Sequence, residues 1–180
     1  MKKLYLSYLI PLSFLIAITI SSCKPDKVAD DVDVGHAYFP HTVGSWFHYD
    51  VDSIFWDDFT GEKYTYRSQI KEVFESTFID NEGKEAYRIE RYYRKADTCD
   101  WVIHDVWFAN FYPSSAEKVE ENVRFKKMVF PVNNNTVWDG NSLNSLDKEN
   151  YSYSNIHESI TINNISYDST VTISHSDLVN

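Results

Sequence analysis

The sequence predicts an all-β protein: an antiparallel meander forming a curved sheet or half-barrel, preceded by a helical signal peptide. A two-sheet β-sandwich is the alternative. Three observations predict this. Apolar and polar residues alternate with period 2 over several stretches, the period of a half-buried strand. Aromatic residues make up 16% of the 180-residue chain, with 13 Tyr and 11 Phe, a usage that suits strands. Turn residues recur at short intervals with no long amphipathic helical pattern between them, as in a meander.

The elements follow in order. Met1-Lys2-Lys3 is a cationic start, and Leu4 to Ile20 is an almost unbroken apolar run interrupted by Pro11. Such a run sits at the lower limit of the roughly 17–25 residues that span a bilayer, and its flanks are those of a secretory leader. Residues 1–22 are therefore assigned as signal peptide. Residues 23–36 are polar and acidic without strand or helix period, and read as a tether. Residues 37–180 form the β domain, opening at Tyr38-Phe39-Pro40.

From Trp46, Phe47, Tyr49, Val51 and Phe55 share one face, and His48, Asp50 and Asp52 the other. A second strand runs from Tyr64 to about Ile79, with Arg67, Gln69 and Lys71 opposite its Tyr66 and Ile70. Asp80 to Lys84 has hairpin-turn composition. The third strand, Ala86 to Arg94, alternates Tyr87, Ile89 and Tyr93 with Arg88, Glu90 and Tyr92. Trp101, Ile103 and Trp107 mark a fourth strand.

Pro113 to Glu117 is open between readings. Ser114 and Glu117 have capping-box spacing, which admits one or two helical turns, while strand periodicity resumes from Asn122. Val137-Trp138 is a short strand. Tyr151–Ile162 and the run carrying Ile165, Tyr167, Val171 and Ile173 form a last hairpin around Asn163-Asn164, since Asn tolerates positive φ.

The apolar leader closes on Ile20-Ser21-Ser22-Cys23. This resembles the lipobox of bacterial lipoproteins. The resemblance implies cleavage between Ser22 and Cys23, lipidation of the Cys23 thiol and acylation of its amine. Two or more chains, at about 0.8 kcal/mol per buried methylene, give stable anchoring. Position 24 is Lys, not Asp, and by the same resemblance this points to the outer membrane. Asp30, Asp31 and Asp33 read either as a surface-export signal or as an ordinary linker, so the periplasmic and cell-surface orientations both stand.

The body shows Tyr38-Phe39-Pro40, Val43-Gly44, Trp46, then Tyr49-Asp50-Val51-Asp52-Ser53. Tyr87-Arg88-Ile89-Glu90-Arg91 and Val129-Phe130-Pro131-Val132 come later. It resembles a class of outer-membrane lipoproteins of unknown function, so no activity follows. Members of that class continue with further strand, which implies an open edge or an incomplete sheet here.

The formal charge of −10 argues against nucleic acid as a partner. The expected partners are a membrane, through the N-terminal lipid, and an envelope protein, glycan or lipid. The two cysteines, Cys23 and Cys99, make no disulfide if Cys23 carries lipid, and Cys99 is then either a buried inert thiol or a reactive one. The six histidines make no paired metal-ligand spacing, so no metal or cofactor is expected. No nucleophile elbow or phosphate-cradling loop is present. The expected function is a non-catalytic binding or scaffolding module. The alternative is a carrier of an apolar ligand, with Phe47, Tyr49, Tyr66, Tyr87, Ile89 and Trp107 lining the hollow of the sheet. An enzyme is the least favoured reading.

Overall fold

The computed structural model describes residues 33–176 of the 180. The leader, Ser22, Cys23, Asp30 and Asp31 lie outside the described residues. Among the described residues, a short 3-10 turn, His36–Tyr38, precedes nine strands. These are β1 (Trp46–Trp56), β2 (Lys63–Ile79), β3 (Glu85–Arg94), β4 (Val102–Tyr112), β5 (Ser115–Glu120), β6 (Val123–Val129), β7 (Val137–Asp139), β8 (Asn150–Ile162) and β9 (Ile165–Ser176). Strands β1 to β6 pair in sequence order, each antiparallel to the next, in one curled half-barrel sheet. Strands β7 to β9 form a small second sheet. The antiparallel meander and half-barrel are thus the observed architecture; the second sheet is too small to make an even sandwich.

Local chemistry sets the turns. At β2–β3, Asp80 Oδ1 accepts from the backbone N–H groups of Glu82 and Lys84, both at 2.9 Å. Gly83 supplies the positive φ of 74° that this turn requires. The β5–β6 and β8–β9 hairpins close on Glu121-Asn122 and Asn163-Asn164. All four residues have φ between 49° and 64°, the geometry of the two-residue turn that matches strand twist.

The structure settles one segment that the sequence leaves open and places four further residues in the folded unit. The capping-box spacing at Ser114 and Glu117 yields no helix. Ser115–Glu120 is strand β5, paired with β4 on one side and β6 on the other. A single helical turn offers few hydrogen bonds for its ordering cost, whereas a strand between two neighbours satisfies its whole backbone. Residues 33–36, which composition reads as tether, belong to the folded unit that begins at Asp33. Val132 N–H donates to the Val34 carbonyl at 2.9 Å, and Gly35, at φ 86°, passes so close to Val132 that a Cβ would lie 2.7 Å from its side chain.

The core lies on one face of the large sheet, called here the core face. Phe74, Ile89 and Ala109 form one cluster. Ala116, Met128, Phe130, Trp138 and Tyr153 form the other, where the small sheet covers the β5–β6 end. Phe39 packs against both clusters.

Candidate binding surface

Register decides which side chains share a face. Across β1 and β2, Phe47 opposes Glu72, Tyr49 opposes Ile70, and Ser53 opposes Tyr66. Phe74 opposes Ile89 and Thr77 opposes Tyr87 across β2 and β3; Ile89 opposes Trp107 across β3 and β4. Directly paired residues point the same way, and so do residues two apart along a strand. All six residues expected to line the hollow therefore lie on the core face.

They do not form one open surface. Ile89 is fully buried. Phe47, Tyr87 and Trp107 are half-buried around it, with Phe39 laid against the same cluster. Tyr49 and Tyr66 remain exposed, at 46% and 58%. The N-terminal segment fills one end of the face. His41 stacks on Phe111 with ring centroids 4.2 Å apart, and His36 meets Phe130 edge-on at 4.6 Å. Both histidines pack against aromatic rings.

The middle of the face holds a charge network. Glu72, 8% exposed, accepts from Arg91 Nε at 3.0 Å and from Lys118 Nζ at 2.9 Å. Arg91 also meets Asp105 at 3.0 Å, and His104 meets the same carboxylate at 2.7 Å. The guanidinium of Arg91 lies 3.6 Å from the Trp107 ring centroid and Lys118 Nζ lies 4.7 Å from it. Trp107 Nε1 donates to Glu121 at 3.0 Å. Burial raises the Tyr49 phenol above its ordinary pKa, and Glu72 adds to this. A buried ion network of this kind costs desolvation unless its charges are mutually satisfied, and here they are.

Sequence reading passed over these residues. Their signal was phase: Glu72 falls in step with Ile70 and Phe74, and Arg91 with Ile89 and Tyr93, so charged residues occupy inward positions.

The remaining surface is a ribbon. Strand β3 pairs with β2 only from Gln69 onward, so Val51–Trp56 and Lys63–Ser68 project as two strands without a third. Phe55, Tyr64 and Tyr66 are exposed on one side of it and Ile54 and Trp56 on the other. Phe59, in the connecting turn, is 99% exposed. Asp57 shapes that turn by accepting from the N–H groups of Phe59 and Thr60 at 2.9 and 3.1 Å, which holds its carboxyl below the usual range. Cys99 is exposed, so the reading of it as a buried thiol fails. Among the described residues, no three His, Cys, Asp or Glu side chains are grouped to hold a metal. Comparison with protein-family models, with curated proteins and with solved structures finds no match to this chain.

Proposed function

We propose that this protein is a lipid-anchored outer-membrane lipoprotein. Cys23 holds it to the bilayer, and its β domain is a non-catalytic module that binds or scaffolds another envelope component. The β1–β2 ribbon carries this reading. It presents Ile54, Phe55, Trp56, Phe59, Tyr64 and Tyr66 to solvent on a projection that buries none of them. Exposed apolar side chains gathered on both sides of such a projection mark an interaction site, and aromatic side chains dominate the energetics of protein interfaces. The charged groups on the core face neutralise one another, which suits structure better than turnover. The carrier alternative draws less support, because Phe39 occupies part of the face that an apolar ligand would need.

The test is recovery of partners from envelope membranes with the native anchor intact, comparing wild type with the triple variant Phe55→Ser, Trp56→Ser, Phe59→Ser. Partners held by wild type should be lost from the variant while both remain membrane-bound. Equal recovery would remove the ribbon from the interface. Anchoring is tested separately: Cys23→Ala should accumulate uncleaved precursor that takes up no labelled fatty acid. Equal labelling would overturn the lipidation reading.

A further inference from the structure

Trp101 ends the loop between β3 and β4, in which residues 95–100 are all exposed. Its indole turns back onto the far face of the large sheet, opposite the core face, and is half-buried there. Arg94 Cζ lies 4.4 Å from the Trp101 ring centroid and Lys71 Nζ 5.0 Å from it. His48 meets it edge-on with centroids 5.4 Å apart. Lys71 Nζ lies 4.9 Å from the Tyr92 ring. With Trp46 and Val73, these side chains line a solvent-open depression of about 540 Å³.

The two cations differ. Arg94 is held by Gln69 Oε1 at 2.5 Å and by the Asp97 carboxylate at 2.6 Å. Lys71 meets no carboxylate within ion-pair distance among the described residues. Arg88, Arg91, Lys118, Arg124 and Lys127 all meet one. Among the described residues Lys63, Lys84, Lys95, Lys126 and Lys148 meet no acid either, and Lys63 Nζ lies 5.2 Å from the Trp56 ring, but Lys71 lies against two rings, Tyr92 and Trp101. The aromatic faces below it favour a cation without neutralising it.

We propose that this depression binds a carboxylated sugar residue, its ring flat against Trp46 and its carboxylate on Lys71. The register supports the spacing. Trp46 opposes Val73 and His48 opposes Lys71, so Trp46 and Lys71 are diagonal neighbours roughly 7–8 Å apart along the sheet. That is a backbone spacing, and both side chains line the same depression. The rings of Trp101 and Tyr92 already carry cations, whereas Trp46 is 61% exposed and keeps a free face. A small inorganic anion would leave that platform empty. An acyl chain would bury Lys71 with no counter-charge, which is costly. A neutral sugar would leave the cation unmatched. The site lies at the start of β1, away from the ribbon tip, and does not depend on the ribbon as an interface.

The experiment titrates the purified full chain in detergent with trigalacturonate and, in parallel, with the neutral maltotriose. Binding is followed by tryptophan fluorescence and calorimetry. Trigalacturonate should bind saturably, more weakly as salt rises, and at least about tenfold more tightly than maltotriose. Lys71→Met keeps the aliphatic stem over the rings and should lower the affinity about tenfold or more, the value of one charged hydrogen bond. Trp46→Ala should lower it similarly, with an unchanged circular dichroism spectrum in both variants. The proposal is overturned by no saturable binding to folded wild type, by equal affinity for maltotriose, or by an unchanged affinity in Lys71→Met.

Discussion

Tyr153 illustrates how one side chain closes a sheet edge. Its hydroxyl accepts from the Val129 N–H at 2.9 Å and donates to the Val129 carbonyl at 2.8 Å. Burial pushes the phenol up to about 12, so it stays a donor across the working pH range. Tyr153→Phe would strand both backbone groups of Val129, and should lower stability by about 1–3 kcal/mol, read as a reduced denaturant midpoint with unchanged slope. Asn110 plays a comparable part on the far face. Fully buried, it donates to Asp80 Oδ2 and to the Glu85 carbonyl, each at 3.0 Å, and accepts from Arg124 at 2.8 Å.

Asp80 also sets a pH dependence. The Lys84 N–H, then the Glu82 N–H and Asn110, hold its carboxyl below the ordinary value of 3.8. Tyr92 and then Arg88 do the same for Glu90, whose ordinary value is 4.5. A depressed native pKa means that the unfolded chain binds protons first as pH falls. The stability these carboxylates contribute is complete above the ordinary values and is lost below them, towards the native pKa. Stability should therefore be flat from neutral pH to about 5 and decline below about 4. Asp80→Asn should flatten that decline, as measured by urea midpoints across the acid range. An unchanged slope would mean that Asp80 is not among the groups responsible.

At the scale of elements, the two edges of the large sheet are treated differently. The free edge of β6 is closed: Lys126 N–H donates to the Gly140 carbonyl, Trp138 Nε1 to the Lys126 carbonyl and Asn144 Nδ2 to the Arg124 carbonyl. Strand β1, at the other edge, has no comparable cap among the described residues. Open edges invite pairing with another chain, and charged residues on them discourage it. Two copies of β1 meeting antiparallel about Val51 would set Asp50 of one opposite Asp52 of the other, a repulsive pairing. Within the chain these acids accept from Gln69 at 2.8 Å and from Arg67 at 3.0 Å. The double variant Asp50→Val, Asp52→Val should therefore self-associate with rising concentration, seen by light scattering, where wild type does not.

At the scale of the whole folded unit, Phe39 links two core clusters that share no buried residue. It comes from the segment before β1, so the chain's own entry into the domain completes the core. Phe39→Ala should cost about 3 kcal/mol, the lower end for deleting a packed aromatic ring. Both halves should melt together at a lower temperature. A variant in which the β1–β4 signals melt alone would show the clusters to be independent.

The order of strands and most of their limits were legible in the sequence, because strand alternation and turn chemistry are local. Phe47 to Phe55, Tyr64 to Ile79 and Tyr87 to Tyr93 declare their period without reference to anything distant, and Asp80 to Lys84 and Asn163-Asn164 declare their turns. The sharing of one face by Phe47, Tyr49, Tyr66, Tyr87, Ile89 and Trp107 was legible for the same reason. The tertiary structure alone decided what meets that face. Only pairing across strands brings Glu72 to Arg91 and Lys118, from three different strands. Only folding lays Phe39 against the cluster of Phe74, Ile89 and Ala109, or turns Trp101 back onto Lys71 and Arg94. It also decided β5: the capping-box spacing at Ser114 and Glu117 is a local preference, overruled by the hydrogen bonds that β4 and β6 supply. Alternation says which side of a strand a residue takes. What covers that side is a long-range fact, set by contacts between segments distant in the chain.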